Sequence, residues 1–391
     1  MTARTTRVVV LGGGYAGVMA ANRLTQRDDV DVTMVNPRAA FVERIRLHQL
    51  VAGTDDAVEN YSTLLGDGVR LVVDEAARIN VGARQVQLAS GDTLSYDYLI
   101  YAIGSTGTVP ARVPGAAEFA YPISELEQAQ RLSQRLADIP ASAPVVIVGG
   151  GLTGIETASE FAEAGRPVTL VTDVLGPSLG KTGRRSVAKR LAKLRVSVVE
   201  GSAVAQVTAD RVVLSDGREV PSAVTVWTAG FGVPGLASAS GLTTDALGRL
   251  VTDETLTSLD DEHVIAAGDA ASPSGLPLRM SCQAALPLGA QAANTVLARI
   301  GGADPARLNQ GMALQCISVG RHAGTIQLNH SDDTPRGFHI GGRTGAYVKE
   351  QVCRFTLKWM RAEAEKPGSY WWPKGPDRLP QLAAASEVAM R

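Results

Sequence analysis

A chain of 391 residues is too long for one small core and asks for two or three domains. Its 38 Lys+Arg nearly cancel 39 Asp+Glu, so it lacks the basic excess that nucleic-acid binding draws on and carries no acidic tail. Its three cysteines, Cys282, Cys316 and Cys353, lie far apart without C-x-x-C or metal-ligand spacing; they read as buried thiols in a reducing compartment, and no metal site is expected.

The first residues, 1–7, are polar and show no signal-peptide pattern, and no apolar run is long enough to cross a bilayer, so a cytoplasmic location is expected. Residues 8–17, VVVLGGGYAG, then run a buried strand into glycines and a helix. Gly12, Gly14 and Gly17 give the G-x-G-x-x-G spacing: a tight turn, close backbone approach to a pyrophosphate, and close packing of helix on strand. Unpaired N–H groups at the helix start point at the phosphates. The next strand ends at Asn36, where an acid usually receives a ribose hydroxyl. Asn36 can accept that bond without charge, or serve as a turn residue before Pro37.

Residues 41–53 carry Arg44, Arg46 and His48 among apolar positions. This stretch reads either as a cover over a bound dinucleotide, its arginines near phosphate, or as a solvated helix face. A hairpin at Gly91-Asp92 and a buried strand ending in Gly104 follow, and Pro110 and Pro114 mark a crossing between domains. Residues 124–138 read as a helix capped by Ser124 with Glu127 three residues on.

The pattern then repeats. Residues 145–154, VVIVGGGLTG, bring Gly149, Gly151 and Gly154; VTMV at 32–35 returns as VTLV at 168–171; a second hairpin surrounds Asp216-Gly217, and its strand ends at Gly230. Thr172 matches Asn36, and Asp173 follows it. An acid there favours NADH, whereas Lys181, Arg184 and Arg185 nearby would favour NADPH. Glu156, in the first turns of the second helix, reads either as a carboxylate favoured by the helix dipole or as a group beside a nicotinamide.

Residues 263–269 form a short apolar strand ending in Gly268-Asp269, and 280–300 read as a helix. Residues 301–391 form a smaller domain with strands at 313–319 and 324–328. Val348, Val352, Phe355 and Trp359 fall at helical spacing, with Lys349, Arg354, Lys358 and Arg361 on other faces. That stripe is read as a core contact or as a subunit contact, the second implying a homodimer, in preference to a membrane-surface contact through 346–372. The segment after Pro373 is expected to be loose.

Taken together, GGGYAG at 12–17, YAIGS at 101–105, GGGLTGIE at 149–156, VWTAGF at 226–231 and AAGDAA at 266–271 resemble the flavoprotein pyridine-nucleotide reductases with two dinucleotide-binding domains. Among these the chain is most similar to the type II NADH dehydrogenases. The resemblance implies an α/β fold with two Rossmann-like domains, the second inserted in the first, and a small α+β domain: 1–115 and 233–305 for FAD, 116–232 for NAD(P)H, 306–391 at the C-terminus. It implies FAD at Gly12, Gly14, Tyr15, Ala16, Gly17, Asn36, Arg44, Ala102, Gly104, Gly268 and Asp269, and NAD(P)H at Gly149, Gly151, Gly154, Thr172, Asp173 and Gly230. Glu156 would position the nicotinamide, and Gln283 would contact the flavin edge. The activity implied is hydride transfer from nicotinamide C4 to flavin N5, then electron transfer to a small-molecule acceptor, quinone included. The alternatives are a reductase for a protein carrier such as a ferredoxin, and a non-enzymatic flavin-bound sensor. No cysteine precedes Cys282, which argues against a redox disulfide. Pro287 and Leu288 stand where family quinone reductases carry paired glutamines.

Overall fold

The computed structural model describes residues 5–389, with backbone alone from residue 385 on; residues 1–4 of the polar lead-in lie outside it. Uninterrupted runs such as VVVL and VVIV lack the alternation of a half-wet strand and are buried throughout, as strands inside parallel sheets are. They form two five-stranded parallel sheets of matching order. The first runs Val264–Ala266, Tyr98–Tyr101, Thr6–Leu11, Val30–Asn36, Val69–Val73. The second runs Ala120–Pro122, Val224–Trp227, Val145–Val148, Val168–Thr172, Ser197–Glu200. Each carries a three-stranded antiparallel side sheet whose last hairpin turns on a glycine with positive φ, Gly91 at 98° and Gly217 at 84°. The duplication legible in the sequence is thus a duplication of architecture.

The last strand of the first sheet follows the whole second sheet in the chain, so the second unit is inserted in the first. Thr106–Gly107 and Phe231–Gly232 pair antiparallel where the chain leaves and returns. Helix Tyr15–Leu24 packs against helix Cys282–Ile300 so closely that a Cβ on Gly289 would lie 2.1 Å from the Ala16 carbonyl oxygen. Pro287 sits inside that second helix and removes the N–H that would bond the Gln283 carbonyl. Gln310 Nε2 donates to that carbonyl instead, at 3.0 Å.

Four expectations need correction. The helix read at 124–138 is Leu126–Ala137, and its cap is Glu125 rather than Ser124, paired with Gln128 in a capping box. Beyond the two C-terminal strands, observed at Leu314–Ser318 and Gly324–Asn329, there is a third, Pro335–Gly341; it is too polar and exposed to leave an apolar pattern. In helix Gly342–Glu365 the inward face carries Lys349, Cys353, Leu357, Met360 and Glu363, while Phe355 and Trp359 are about 40% exposed. The periodicity misassigned Lys349 because each charge on the inward face is neutralised by a partner. Glu363 meets Arg23 of helix Tyr15–Leu24 at 3.4 Å, with both side chains buried. Nor are the residues just after Pro373 loose. Arg378 binds buried Glu254 at 2.9 Å and the carbonyls of Pro273 and Leu276, and a helix, Leu379–Ala389, follows.

Candidate active site

The two glycine turns agree atom by atom. Gly12 and Gly149 take positive φ, 100° and 117°, closed to most side chains. A Cβ on Gly17 would strike the Gly12 carbonyl oxygen at 1.8 Å, and one on Gly154 the Gly149 carbonyl oxygen at 1.9 Å. The middle glycine of each turn, Gly13 or Gly150, gives its N–H to the side chain ending the next strand: Asn36 Oδ1 at 2.9 Å, Thr172 Oγ1 at 3.0 Å. Gly14 and Gly151 differ from all of these, since nothing lies within 4 Å of a Cβ built on either. The open space is the one a phosphate needs. Asn36 is therefore already engaged in pinning its loop, helped by Tyr61, whose hydroxyl donates to the Gly13 carbonyl at 2.7 Å.

A cleft of about 360 Å³ opens over the first turn, lined among others by residues 12–16, Arg44, Gly104 and Asp269. Arg44 Nη1 donates to the Ser105 carbonyl at 2.7 Å, and the Ser105 hydroxyl to Asp269 Oδ2 at 2.7 Å. Asp269 is thereby fixed on a 3-10 turn, Gly268–Ala270, where Gly268 has positive φ and abuts the Ala16 methyl. Ala102, buried at the end of its strand, backs the turn. Tyr15 is packed edge-on to Phe41 at 5.1 Å, and its buried hydroxyl has no partner among the described residues. An orphaned donor and an open phosphate seat on the same cleft fit a dinucleotide of the kind the sequence implies.

At the second turn, Thr172 is buried and Asp173 exposed just past the strand. Gly230 takes positive φ at the end of the strand facing it. Gln283 does not face open space: its amide lies against the Leu314 carbonyl at 2.8 Å and the Ala313 N–H at 3.3 Å, tying the helix start to the C-terminal sheet.

Glu156 stands between the units and is 7% exposed. Its Oε1 lies 3.3 Å from Lys349 Nζ and accepts from the Ser318 N–H at 3.0 Å and hydroxyl at 3.3 Å. Burial pushes this carboxyl up, but Lys349, His48 and the Ser318 donor outweigh it and hold it below the usual range. Burial also opposes the charge on Lys349, which its neighbours, Glu156 included, overcome. His48, buried with Nε2 unpartnered among the described residues, is drawn down to about 4 by burial, with Glu156 opposing the fall. The three cysteines, distant in sequence, all interact with Lys349, and burial pushes each thiol up, Cys282 to about 12. Sequence reasoning missed Lys349. The usable signal was a second stripe at 349, 353, 357 and 360.

Residues 6–292 match the family model described as pyridine nucleotide-disulphide oxidoreductase. The chain is 33% identical over 324 residues to an NADH dehydrogenase-like protein of Mycobacterium tuberculosis, covering 75% of this chain and 80% of that one. It is 26% identical over 327 residues to a type II NADH:quinone oxidoreductase of Haemophilus influenzae, covering 68% and 73%. The structure of NDH2 from Plasmodium falciparum in complex with NADH superposes with a TM-score of 0.76 at 15% identity, covering 94% and 99%, a likeness of fold. The chain belongs to the pyridine nucleotide-disulphide oxidoreductase family. Both of these relatives carry names of the NADH dehydrogenase type.

Proposed function

We propose that the chain is an FAD-dependent NAD(P)H oxidoreductase that reduces a small-molecule acceptor of the quinone class without a redox disulfide. FAD belongs in the cleft over Gly12–Gly14–Gly17, and NAD(P)H at Gly149–Gly151–Gly154. The supporting observation is the matched pair of turns with a charged pair, Glu156–Lys349, buried between them. In such a site the flavin supplies two-electron chemistry, taking hydride from nicotinamide and passing electrons on. On this reading residues 1–115 and 233–305 are the FAD unit, 116–232 the NAD(P)H unit and 306–391 the C-terminal unit.

The chain's own groups do the holding. The free N–H groups at the starts of helices Tyr15–Leu24 and Leu152–Glu163 bind pyrophosphate. Asp269, locked by Ser105, accepts from a hydroxyl of the ribityl chain. Helix Cys282–Ile300, capped by Ser281, offers N–H groups to developing negative charge. Glu156 orients the nicotinamide, and Lys349 holds a proton at Nζ. Pro287 and Leu288 offer no side-chain donor to an acceptor carbonyl, which leaves Lys349 as the donor we assign. Asp173, exposed at the ribose end, favours NADH over NADPH by repelling a 2′-phosphate.

The test is anaerobic addition of NADH to the FAD-loaded protein. Flavin absorbance should bleach, and a soluble quinone should restore it. Glu156→Gln should keep its flavin and bleach at least tenfold more slowly. A wild-type flavin that stays yellow under NADH rules the reading out.

A further inference from the structure

A second cavity, about 290 Å³, shares no lining residue with the nucleotide cleft. Its lining grades from buried Lys349 and Cys353 to exposed His322, Arg343 and Tyr347. The two spaces differ in charge. The nucleotide cleft sets two arginines against four carboxylates, in a chain whose net charge is −1. This cavity sets Arg321, Arg343 and Lys349 against Glu350 alone. Glu350 is already engaged: it meets Arg46 and Arg354 at 3.0 Å and Arg321 at 3.6 Å. Burial works to raise its carboxyl, but these guanidiniums outweigh burial and hold it at about 2. Arg321 also reaches Glu160, at 3.4 Å. Arg343 differs, with no hydrogen bond or ion pair to any described residue. Its planar guanidinium, a donor fork that matches acid oxygens, thus stands free at the mouth of a positively charged space. A cleft lined by one sign of charge concentrates ligands of the other.

We propose that this cavity seats the electron acceptor, and that the acceptor is an aromatic quinone carrying an acid group, which Arg343 holds. The proposal rests on the oxidoreductase reading above and names its substrate class. The carbonyl end of the ring faces Lys349, already assigned as its donor. Arg343 lies six residues earlier on helix Gly342–Glu365, about 9 Å along the axis at 1.5 Å per residue. That matches a two-ring acceptor with its acid group on the far edge. Lining positions 343, 346, 347, 350 and 353 form one stripe at helical spacing, so the cavity runs along the helix from one anchor to the other. Its volume is at the small end of ligand pockets, which suits two fused rings. Tyr347 supplies an aromatic wall at the mouth. Pro287 and Leu288 give an acceptor no side-chain donor, so its hold has to come from another element, and helix Gly342–Glu365 provides one. Arg343 favours charged acceptors alone, since beside a neutral one it simply stays in water. The acid group takes no part in the chemistry, NAD(P)H + H⁺ + quinone → NAD(P)⁺ + quinol, and carries the same charge before and after.

Binding is read first, without turnover. By calorimetry, the oxidised FAD-loaded enzyme should bind naphthalene-2-sulfonate at least tenfold more tightly than neutral 2-naphthol. Arg343→Gln should remove that preference, Arg343→Lys should keep most of it, and added salt should weaken it. In turnover with NADH, the half-saturation for 1,4-naphthoquinone-2-sulfonate relative to that for menadione should rise at least tenfold in Arg343→Gln. Each acceptor is compared with itself in the two proteins, so the difference in reduction potential cancels. Naphthalene-2-sulfonate should compete with the sulfonated quinone and not with NADH. Equal binding of the sulfonate and the naphthol to the wild type would overturn the proposal, and that result needs no variant to fold. A half-saturation ratio unchanged in Arg343→Gln would overturn it as well. Competition with NADH would also overturn it, since the cavity would then belong to the donor. A wild-type flavin that NADH does not bleach removes the oxidoreductase reading and the acceptor with it, whereas intact bleaching with no preference for the sulfonate removes the seat alone.

Discussion

Replacing Lys349 with Met keeps most of the side chain's volume and removes the ammonium 3.3 Å from Glu156. Glu156 then keeps only the Ser318 donors, at 3.0 and 3.3 Å, in a nearly closed site. A carboxylate stranded this way costs about 3–5 kcal/mol if it stays charged, so it takes up a proton instead. Keeping a carboxyl of ordinary pKa protonated at pH 7 costs roughly 3 kcal/mol, at about 1.4 kcal/mol per unit. In the variant the folded pKa lies above the unfolded one. The penalty is therefore absent below the unfolded pKa, grows as pH rises, and levels off above the folded pKa. In the wild type the sign is reversed: Glu156 is held low, so its contribution is present above the ordinary pKa and is lost as pH falls through the folded one. Protonation of His48 in acid would only shrink the gap there. An unfolding entropy of about 2.1 cal/mol/K per residue gives roughly 0.8 kcal/mol per degree for a chain this long, so 3 kcal/mol is about 4 °C in Tm. Thermal unfolding of both proteins from pH 5 to pH 8 should show a gap of about 1 °C at pH 5 that widens to about 4 °C at pH 7. Glu156→Gln combined with Lys349→Met should recover most of it. A gap equal at pH 5 and pH 8 would refute the buried pairing.

Gly14→Val should purify without flavin, because its side chain enters the one open position of the turn; full flavin content by absorbance would contradict this. Gln310→Leu leaves the Gln283 carbonyl unmet and should cost about 1–3 kcal/mol, read as a lower Tm. Pro287→Ala should erase most of that loss by restoring the helical N–H, and an equal loss in both backgrounds would refute the substitution of one donor for the other. The exposed aromatics Tyr347, Phe355, Trp359 and Trp371, with Lys358 close to the Phe355 ring, suit peripheral contact with a lipid surface. The wild type should co-float with anionic vesicles, and Phe355→Ser with Trp359→Ser should abolish it; equal flotation of both proteins would reject the contact.

What could be read in the sequence was whatever repeats or recurs locally. Both sheets were legible because their strands are unbroken apolar runs followed by glycines, whereas the insertion was expected only from the family resemblance. The partner of Glu156 was not. Lys349 lies in a different unit, and helical periodicity sorts lysine outward; only its ion pair makes its burial tolerable. The same holds for Glu363 with Arg23 and Arg378 with Glu254, pairs whose members are distant in the chain. Asn36 was found, but its role could not be read, since the turn's need for a partner at Gly13 shows only in three dimensions.

Strand Tyr98–Tyr101 is finished early in synthesis, yet its outer neighbour, Val264–Ala266, arrives only after the whole second sheet has been translated. At about 5–20 residues per second, the nascent chain carries that open edge for roughly 8–30 s. The interposed unit holds all of its own strands and can close first, on the ribosome. The outer one cannot close until helix Cys282–Ile300 has emerged, so flavin loading waits for the first 300 of 391 residues, and a chain truncated before residue 264 should emerge colourless.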